Sequence, residues 1–79
     1  MNRPEVQVYI SDHCKECEDV IHFLEKRNVK YISKNTSRNK SFLKEIQKEN
    51  VYVTPVVKTN YGKWVLGYQE DQLIHVLGL

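Results

Sequence analysis

Cys14 and Cys17 are the two cysteines of the chain, separated by Lys15 and Glu16. If that segment is helical, residues three apart share a face, and the sulfurs come within bonding reach with little backbone movement. Thiols so placed can exchange with another disulfide, supply half of a metal site, form a static cross-link or simply lie buried and inert. A static link closes too small a loop to stabilise much. A closed zinc site wants four ligands, and the further candidates are His13, His22 and His75, with His13 adjacent to Cys14. Where thiols are kept reduced, a lone close pair is more often catalytic or metal-binding than a staple. Thiol–disulfide exchange is therefore the leading expectation.

The surrounding pattern assigns different work to the two sulfurs. Glu5-Val-Gln-Val-Tyr-Ile10 alternates polar and apolar and reads as a strand. Ser11-Asp12-His13 breaks it, and Ser11 or Asp12 is the expected cap of the next element. From Cys14 to about Lys26, Cys17, Val20, Ile21 and Leu24 recur at helical spacing, with Phe23 at the edge of the stripe. Cys14 then sits at a helix N-terminus, where unsatisfied N–H groups and the helix dipole favour a thiolate. Cysteines in such settings have pKa values of roughly 3.5–7.5, and the thiolate is the attacking form. Cys17, one turn inward, suits the resolving step: Cys14 attacks a substrate disulfide, and Cys17 attacks the mixed disulfide. His13 and Lys15 would add positive charge near Cys14, and Glu16 opposes them.

The remaining elements must position this pair. Asn28 is a helix stop, and Val29-Lys-Tyr-Ile32 reads as a second strand. Ser33 to Asn39 reads as a loop rich in N-cap candidates, ahead of a helix that buries Phe42, Leu43 and Ile46 and ends at Asn50. Val56–Thr59 is a third strand, Asn60-Tyr61-Gly62 a turn, and Lys63–Leu66 the returning arm of a hairpin. After Gly67, Glu70 and Asp71 open a third helix with Leu73, Ile74 and Leu77 on one face. The order β-α-β-α-β-β-α implies an α/β fold. A parallel strand–helix–strand unit and an antiparallel hairpin share a mixed four-stranded sheet with helices on both faces.

Composition limits the alternatives. Seventy-nine residues suffice for one domain, spanning 1–79, and are too few for two. A formal net charge of +2 with interleaved signs gives no strong pull toward nucleic acid or anionic lipid. Lys34, Arg38, Lys40 and Lys44 form the one basic cluster and read as a solvated helix face. No apolar run approaches the ~20 residues of a membrane span. Met1 to Glu5 lacks the apolar stretch of a signal peptide. A cytoplasmic monomer that binds neither membrane nor nucleic acid is expected. Tyr9, Tyr31, Tyr52, Tyr61, Phe23, Phe42 and Trp64 read as core or sheet-face residues rather than a base-stacking platform.

Three landmarks together carry a resemblance. Cys14-Lys-Glu-Cys17 after the first strand, Thr54-Pro55 opening the third and Gly67-Tyr68 after the fourth resemble the glutaredoxin branch of the thioredoxin superfamily, over nearly the whole chain. Trp64 followed by Gly67-Tyr68-Gln69-Glu70-Asp71 is most similar to the glutaredoxin-like redoxins that serve ribonucleotide reductase. The resemblance implies a thioredoxin/glutaredoxin fold and a redox-active disulfide with no bound cofactor or metal. Electrons would come from NADPH through thioredoxin reductase, or from glutathione. The substrate would be a protein disulfide, with ribonucleotide reductase a candidate.

The resemblance further implies a cis Thr54–Pro55 bond beside the Cys14 sulfur, with the Thr54 backbone free to pair with an extended substrate. It makes Gly67, Tyr68 and Glu70 donor or substrate contacts, Glu70 at the position of an acid that binds the glutathione amino group. The chain also departs from glutathione users. Ser11 replaces a basic residue, Tyr68 a second glycine, Lys15-Glu16 a pair containing an aromatic, and Val53 a common threonine. Slow reduction by glutathione is the expectation, although Lys34 and Arg38 are placed to replace the lost charge in part. Two other functions stay open: a glutathione-dependent monothiol deglutathionylase needing only Cys14, and a non-redox zinc-binding or adaptor domain.

Overall fold

The computed structural model describes residues 5–79; residues 1–4, which belong to the N-terminal segment lacking signal-peptide character, lie outside the described residues. The elements are β1 (Val6–Ile10), α1 (Lys15–Lys26), β2 (Ile32–Asn35), α2 (Lys40–Gln47), β3 (Val56–Thr59), β4 (Trp64–Leu66) and α3 (Glu70–Leu77). The four strands form one mixed sheet in the order β2-β1-β3-β4. β1 runs parallel to β2 and antiparallel to β3, and β3 and β4 form the antiparallel hairpin.

The pleat divides the core in two, because successive strand residues point to opposite faces. Val6 and Val8 of β1, Val57 of β3 and Val65 of β4 pack with Val20, Phe23 and Leu24 of α1 and Leu73 of α3. Tyr9 and Val56 point the other way, onto Ile46 of α2 and Val51. Helices thus cover both faces, as the element order implied. Each helix stops by one device, a residue in the left-handed region: Asn28 (φ 58°), Asn50 (φ 61°) and Gly78 (φ 69°). After α1, Asn28 N–H bonds Glu25 O at 3.1 Å and Val29 N–H bonds Leu24 O at 2.9 Å, so the last carbonyls are satisfied as the chain turns away.

β2 lies three residues later than its apolar pattern suggested. Val29 and Tyr31 pack on the α1 side of the core before the chain reaches the sheet. The residues that pair with β1 are Ile32 to Asn35, the polar part of the segment. As an edge strand, β2 needs little apolar surface, so periodicity does not reveal it. Tyr52 and Tyr61 also depart from the core reading, at 69% and 64% exposed. Lys34 departs from the solvated helix face. It lies on β2, with its ammonium 3.0 Å from Glu45 and 3.1 Å from Gln7 Oε1.

Candidate active site

Strand register gathers the site. Tyr9 is level with Val56, and Val56 with Leu66, while Ile10 is level with Asn35. The end of β1, the start of β3, the end of β4 and the end of β2 therefore share one edge of the sheet. Ser11 to Cys14, Thr54-Pro55, Gly67-Tyr68 and the 35–38 loop project from that edge.

Cys14 is itself the N-cap of α1, with extended φ/ψ of −118° and 105°, and its sulfur accepts the Cys17 N–H at 3.1 Å. Neither Ser11 nor Asp12 caps the helix. Asp12 is turned to the β2–α2 loop, where its N–H donates to Ser37 Oγ and its carboxylate accepts from Asn35 and Arg38. The Asn35 amide, with help from Arg38, holds that carboxyl below its ordinary pKa. Cys14 and Cys17 are joined as a disulfide with Cα atoms 5.2 Å apart, within the usual span. The sulfurs are unequal: Cys17 is buried at 3% exposure, and Cys14 is partly exposed. Glu16 and Glu18 in the first turn and Lys26 in the last complement the helix dipole.

Hydrogen bonds tie the loops together. Ser11 and Thr54 share a hydroxyl–hydroxyl bond of 2.6 Å. Gly67 N–H bonds Pro55 O at 2.8 Å, and Tyr68 N–H bonds Glu16 Oε1 at 3.0 Å. The Thr54–Pro55 peptide is cis, as the resemblance implied, and Pro55 is fully buried. Tyr68 stacks edge-on against Phe23 and donates its hydroxyl to Glu70 at 2.9 Å, which raises the phenol's pKa. A shallow cleft of about 380 Å³ includes His13, Cys14, Cys17, Ile21 and His22 in its lining. A larger hollow of about 620 Å³, between Val6, Tyr31 and Leu77, lies at the far end of the sheet and touches neither cysteine.

The residues singled out from sequence thus fall into two linked groups. His13, Cys14 and Cys17 line the cleft, and Thr54, Pro55, Gly67 and Tyr68 form the joined loops beside it, with Glu70 at the start of α3 bonded to Tyr68. Lys15 belongs to neither, because its ammonium pairs with Asp19 at 2.6 Å. Lys34 is held by Glu45 on the α2 face and is not placed to replace a basic residue at position 11, whereas Arg38 reaches Asp12. Sequence reasoning missed the tying roles of two residues: Ser11, noted as a candidate cap and for a charge it lacks, and Glu16, noted as an opposing charge and as part of a pair lacking an aromatic. Their partners lie 43 and 52 positions away, beyond what local spacing can signal. Among the described residues, no three His, Cys, Asp or Glu side chains gather to hold a metal ion. No helix there is long and apolar enough to cross a membrane.

No family model matches the sequence, and no curated relative matches it. Solved structures do. The thioredoxin-like protein BC3987 superposes with a TM-score of 0.85 at 27% identity, covering 92% of this chain and all of that one. A glutaredoxin from Archaeoglobus fulgidus gives 0.77 at 28% identity, covering 91% and 84%. The glutaredoxin-like NrdH-redoxin from Escherichia coli gives 0.83 at 17% identity, covering 91% and 93%, a likeness of fold. Sheet order and a cysteine pair at the first strand-to-helix junction define the class, a redoxin of the thioredoxin superfamily. Within that superfamily the chain is similar to a thioredoxin-like protein and to a glutaredoxin. The pair and these neighbours fit a thiol–disulfide oxidoreductase with thiol-redox partners.

Proposed function

We propose that the chain is a dithiol electron carrier that reduces protein disulfides, with Cys14 the nucleophile and Cys17 the resolving thiol. The observation that carries this reading is the inequality of the two sulfurs. Cys14 is the partly exposed N-cap of α1, whereas Cys17 is buried one turn inside. The reduced form begins with Cys14 as a thiolate, favoured by the helix N-terminus and the Cys17 N–H. Its lone pair attacks one sulfur of the target disulfide. A Cys14–target bond forms, the target bond breaks, and the departing thiolate takes a proton from water. Cys17 loses its proton to water and attacks the Cys14 sulfur, forming the Cys14–Cys17 bond, and the second target thiolate leaves and takes a proton from water. Two electrons have then passed to the target, with one proton matched by that of Cys17 and the other drawn from solvent.

An extended target segment would run beside Thr54 and Pro55, with exposed Tyr52 and Val53 offering contact surface. Gly67 and Tyr68 would border it on the other side, and His13 would border the cleft. The electron donor in this reading is a thioredoxin-reductase-type flavoenzyme drawing on NADPH, acting on a cytoplasmic monomer. Support comes from the donors and acceptors already engaged: Glu70 by the Tyr68 hydroxyl, Lys34 by Glu45, Lys15 by Asp19. Ribonucleotide reductase is one candidate target.

Cys17→Ser should trap a mixed disulfide between Cys14 and an oxidised protein target, visible by mass spectrometry, and stop multiple turnover. A variant that turns over at the wild-type rate is a monothiol enzyme, and the resolving role of Cys17 falls. Coupled NADPH assays with thioredoxin reductase, or with glutathione and its reductase, rank the donors. A faster glutathione arm overturns the donor assignment and leaves the dithiol chemistry intact.

A further inference from the structure

The turn after β4 presents two successive backbone N–H groups toward the cysteine end. Gly67 N–H is engaged by the main chain, at Pro55 O. Tyr68 N–H is engaged by a side chain, the Glu16 carboxylate, at 3.0 Å. The same Glu16 Oε1 lies 3.5 Å from where a Cβ on Gly67 would stand. A carboxylate is therefore already seated against this turn, and it is carried between the two cysteines on an exposed side chain. Other groups nearby are engaged elsewhere: Lys15 by Asp19, Arg38 by Asp12, and the Tyr68 hydroxyl by Glu70. The Tyr68 N–H has an easily exchanged partner, because an exposed glutamate can swing into water at little cost.

We propose that Glu16 is a specificity-determining residue: it occupies the backbone N–H that a carboxylate-bearing thiol would use on approaching the disulfide, and so selects against small anionic thiols. The inference rests on the donor assignment above and gives it a cause in this chain besides Ser11 and Tyr68. An incoming carboxylate must displace one already present and lie close to its charge. An uncharged thiol makes no claim on that N–H and is indifferent to Glu16. In either case two thiols reduce the Cys14–Cys17 bond, giving one small-molecule disulfide and the protein dithiol.

The test measures rate constants for reduction of the oxidised protein by glutathione and by 2-mercaptoethanol, and takes their ratio, which cancels changes in intrinsic disulfide reactivity. Glu16→Ala should raise the glutathione-to-mercaptoethanol ratio about three- to tenfold, the scale of a charge-assisted hydrogen bond discounted for exposure. The increase should survive about 0.5 M salt, because occupancy, unlike long-range repulsion, is not screened. Glu16→Gln, which keeps an acceptor oxygen, should lie closer to wild type than to Glu16→Ala. Glu18→Gln, which removes an exposed charge of the same helical turn, should leave the ratio within about twofold, since a screened surface charge has little reach.

An unchanged ratio in Glu16→Ala overturns the proposal, as does equal acceleration of both thiols. An equal effect of Glu18→Gln, or loss of the increase in salt, overturns it in favour of general repulsion. Glu16→Gln matching Glu16→Ala in full does the same. The ratio reads only the first thiol–disulfide step. Failure of the wild-type protein to pass electrons to a protein disulfide would therefore break the carrier reading without altering this result.

Discussion

On the α2 face of the sheet, Glu45 accepts a hydrogen bond from the Tyr9 hydroxyl at 2.7 Å and another from Lys34 at 3.0 Å. Lys34 also reaches Gln7 and lies over the rings of Tyr9 and Phe42. At the cysteine end, Glu16 holds one backbone N–H, in the open. Both contacts join a helix to distant chain, and their energetics differ. Tyr9 is only 1% exposed, so removing Glu45 leaves the Tyr9 hydroxyl where water reaches it poorly. Around Glu16 water replaces whatever is removed. Stability is concentrated where nothing reacts, and contacts at the reacting end are cheap to break and remake.

The sharpest way to break that comparison is at the sulfur itself. Cys14→Ser should abolish reduction of protein disulfides. Its unfolding free energy should match that of the reduced wild type to within about 0.5 kcal/mol, as for a substitution away from the core. Chemical denaturation of both proteins in a reducing buffer checks this, and a larger loss would make Cys14 a structural residue. Tyr9→Phe should behave in the opposite way. It should cost about 1.5–3 kcal/mol, the value of a hydrogen bond to a charged group, and leave turnover unchanged, since Glu45 keeps Lys34 and meets water. A fall in turnover at full folding would join the two regions functionally and remove the contrast.

Acidity sharpens the same division. The Tyr9 hydroxyl, and after it Lys34, holds the Glu45 carboxyl below the ordinary 4.5. A depressed folded-state pKa contributes stability that is whole above the unfolded value and is lost as pH falls through the folded one. Burial, with the Glu45 contact, raises the Tyr9 phenol above its ordinary 10.0, so its contribution is whole below that value and is lost as pH climbs. Stability should therefore fall below about pH 4.5 and again in strong alkali. Glu45→Gln should flatten the acid limb, and an unchanged limb would place the titration elsewhere. At the other end, Cys14 should alkylate with an apparent pKa at least about one unit below the ~8.5 of a free cysteine. Rates against pH measure it, and equal reactivity of Cys14 and Cys17 would remove the assigned roles.

What could be read from sequence depends on the reach of each interaction. Apolar spacing in α1 and the turn residues Asn28, Asn50 and Gly62 are local signals, and the element order came from them. The cysteines and Thr54-Pro55 were legible because residue type and chain position suffice to mark them. β2 was misplaced because an edge strand can be polar, and its apolar lead-in, Val29 and Tyr31, serves the core instead. The cap of α1 was misassigned because cysteine is an unusual cap, and Asp12 is drawn off by Asn35 and Arg38. The Glu16 and Ser11 contacts join segments more than 40 positions apart through single bonds. Such contacts leave no trace in periodicity.

The smallest effect tests a residue where the two kinds of region meet. Gly67 has φ of 74°, a conformation L side chains rarely adopt. Its substituent would meet Glu16 Oε1 at 3.5 Å, an ordinary contact. Gly67→Ala should therefore cost about 1 kcal/mol, set by backbone conformation rather than by collision. Gly62 is a built-in control, with φ of 79° and nothing within 4 Å of its would-be Cβ. Gly62→Ala should cost the same within about 0.5 kcal/mol. Repeating Gly67→Ala in a Glu16→Ala background separates the causes. A conformational cost is unchanged there, to within about 0.5 kcal/mol, whereas a steric one shrinks because the carboxylate is gone. Shrinkage would mean that Glu16 presses on this turn as a packed partner, and its freedom to exchange, on which its contrast with Glu45 rests, would have to be given up.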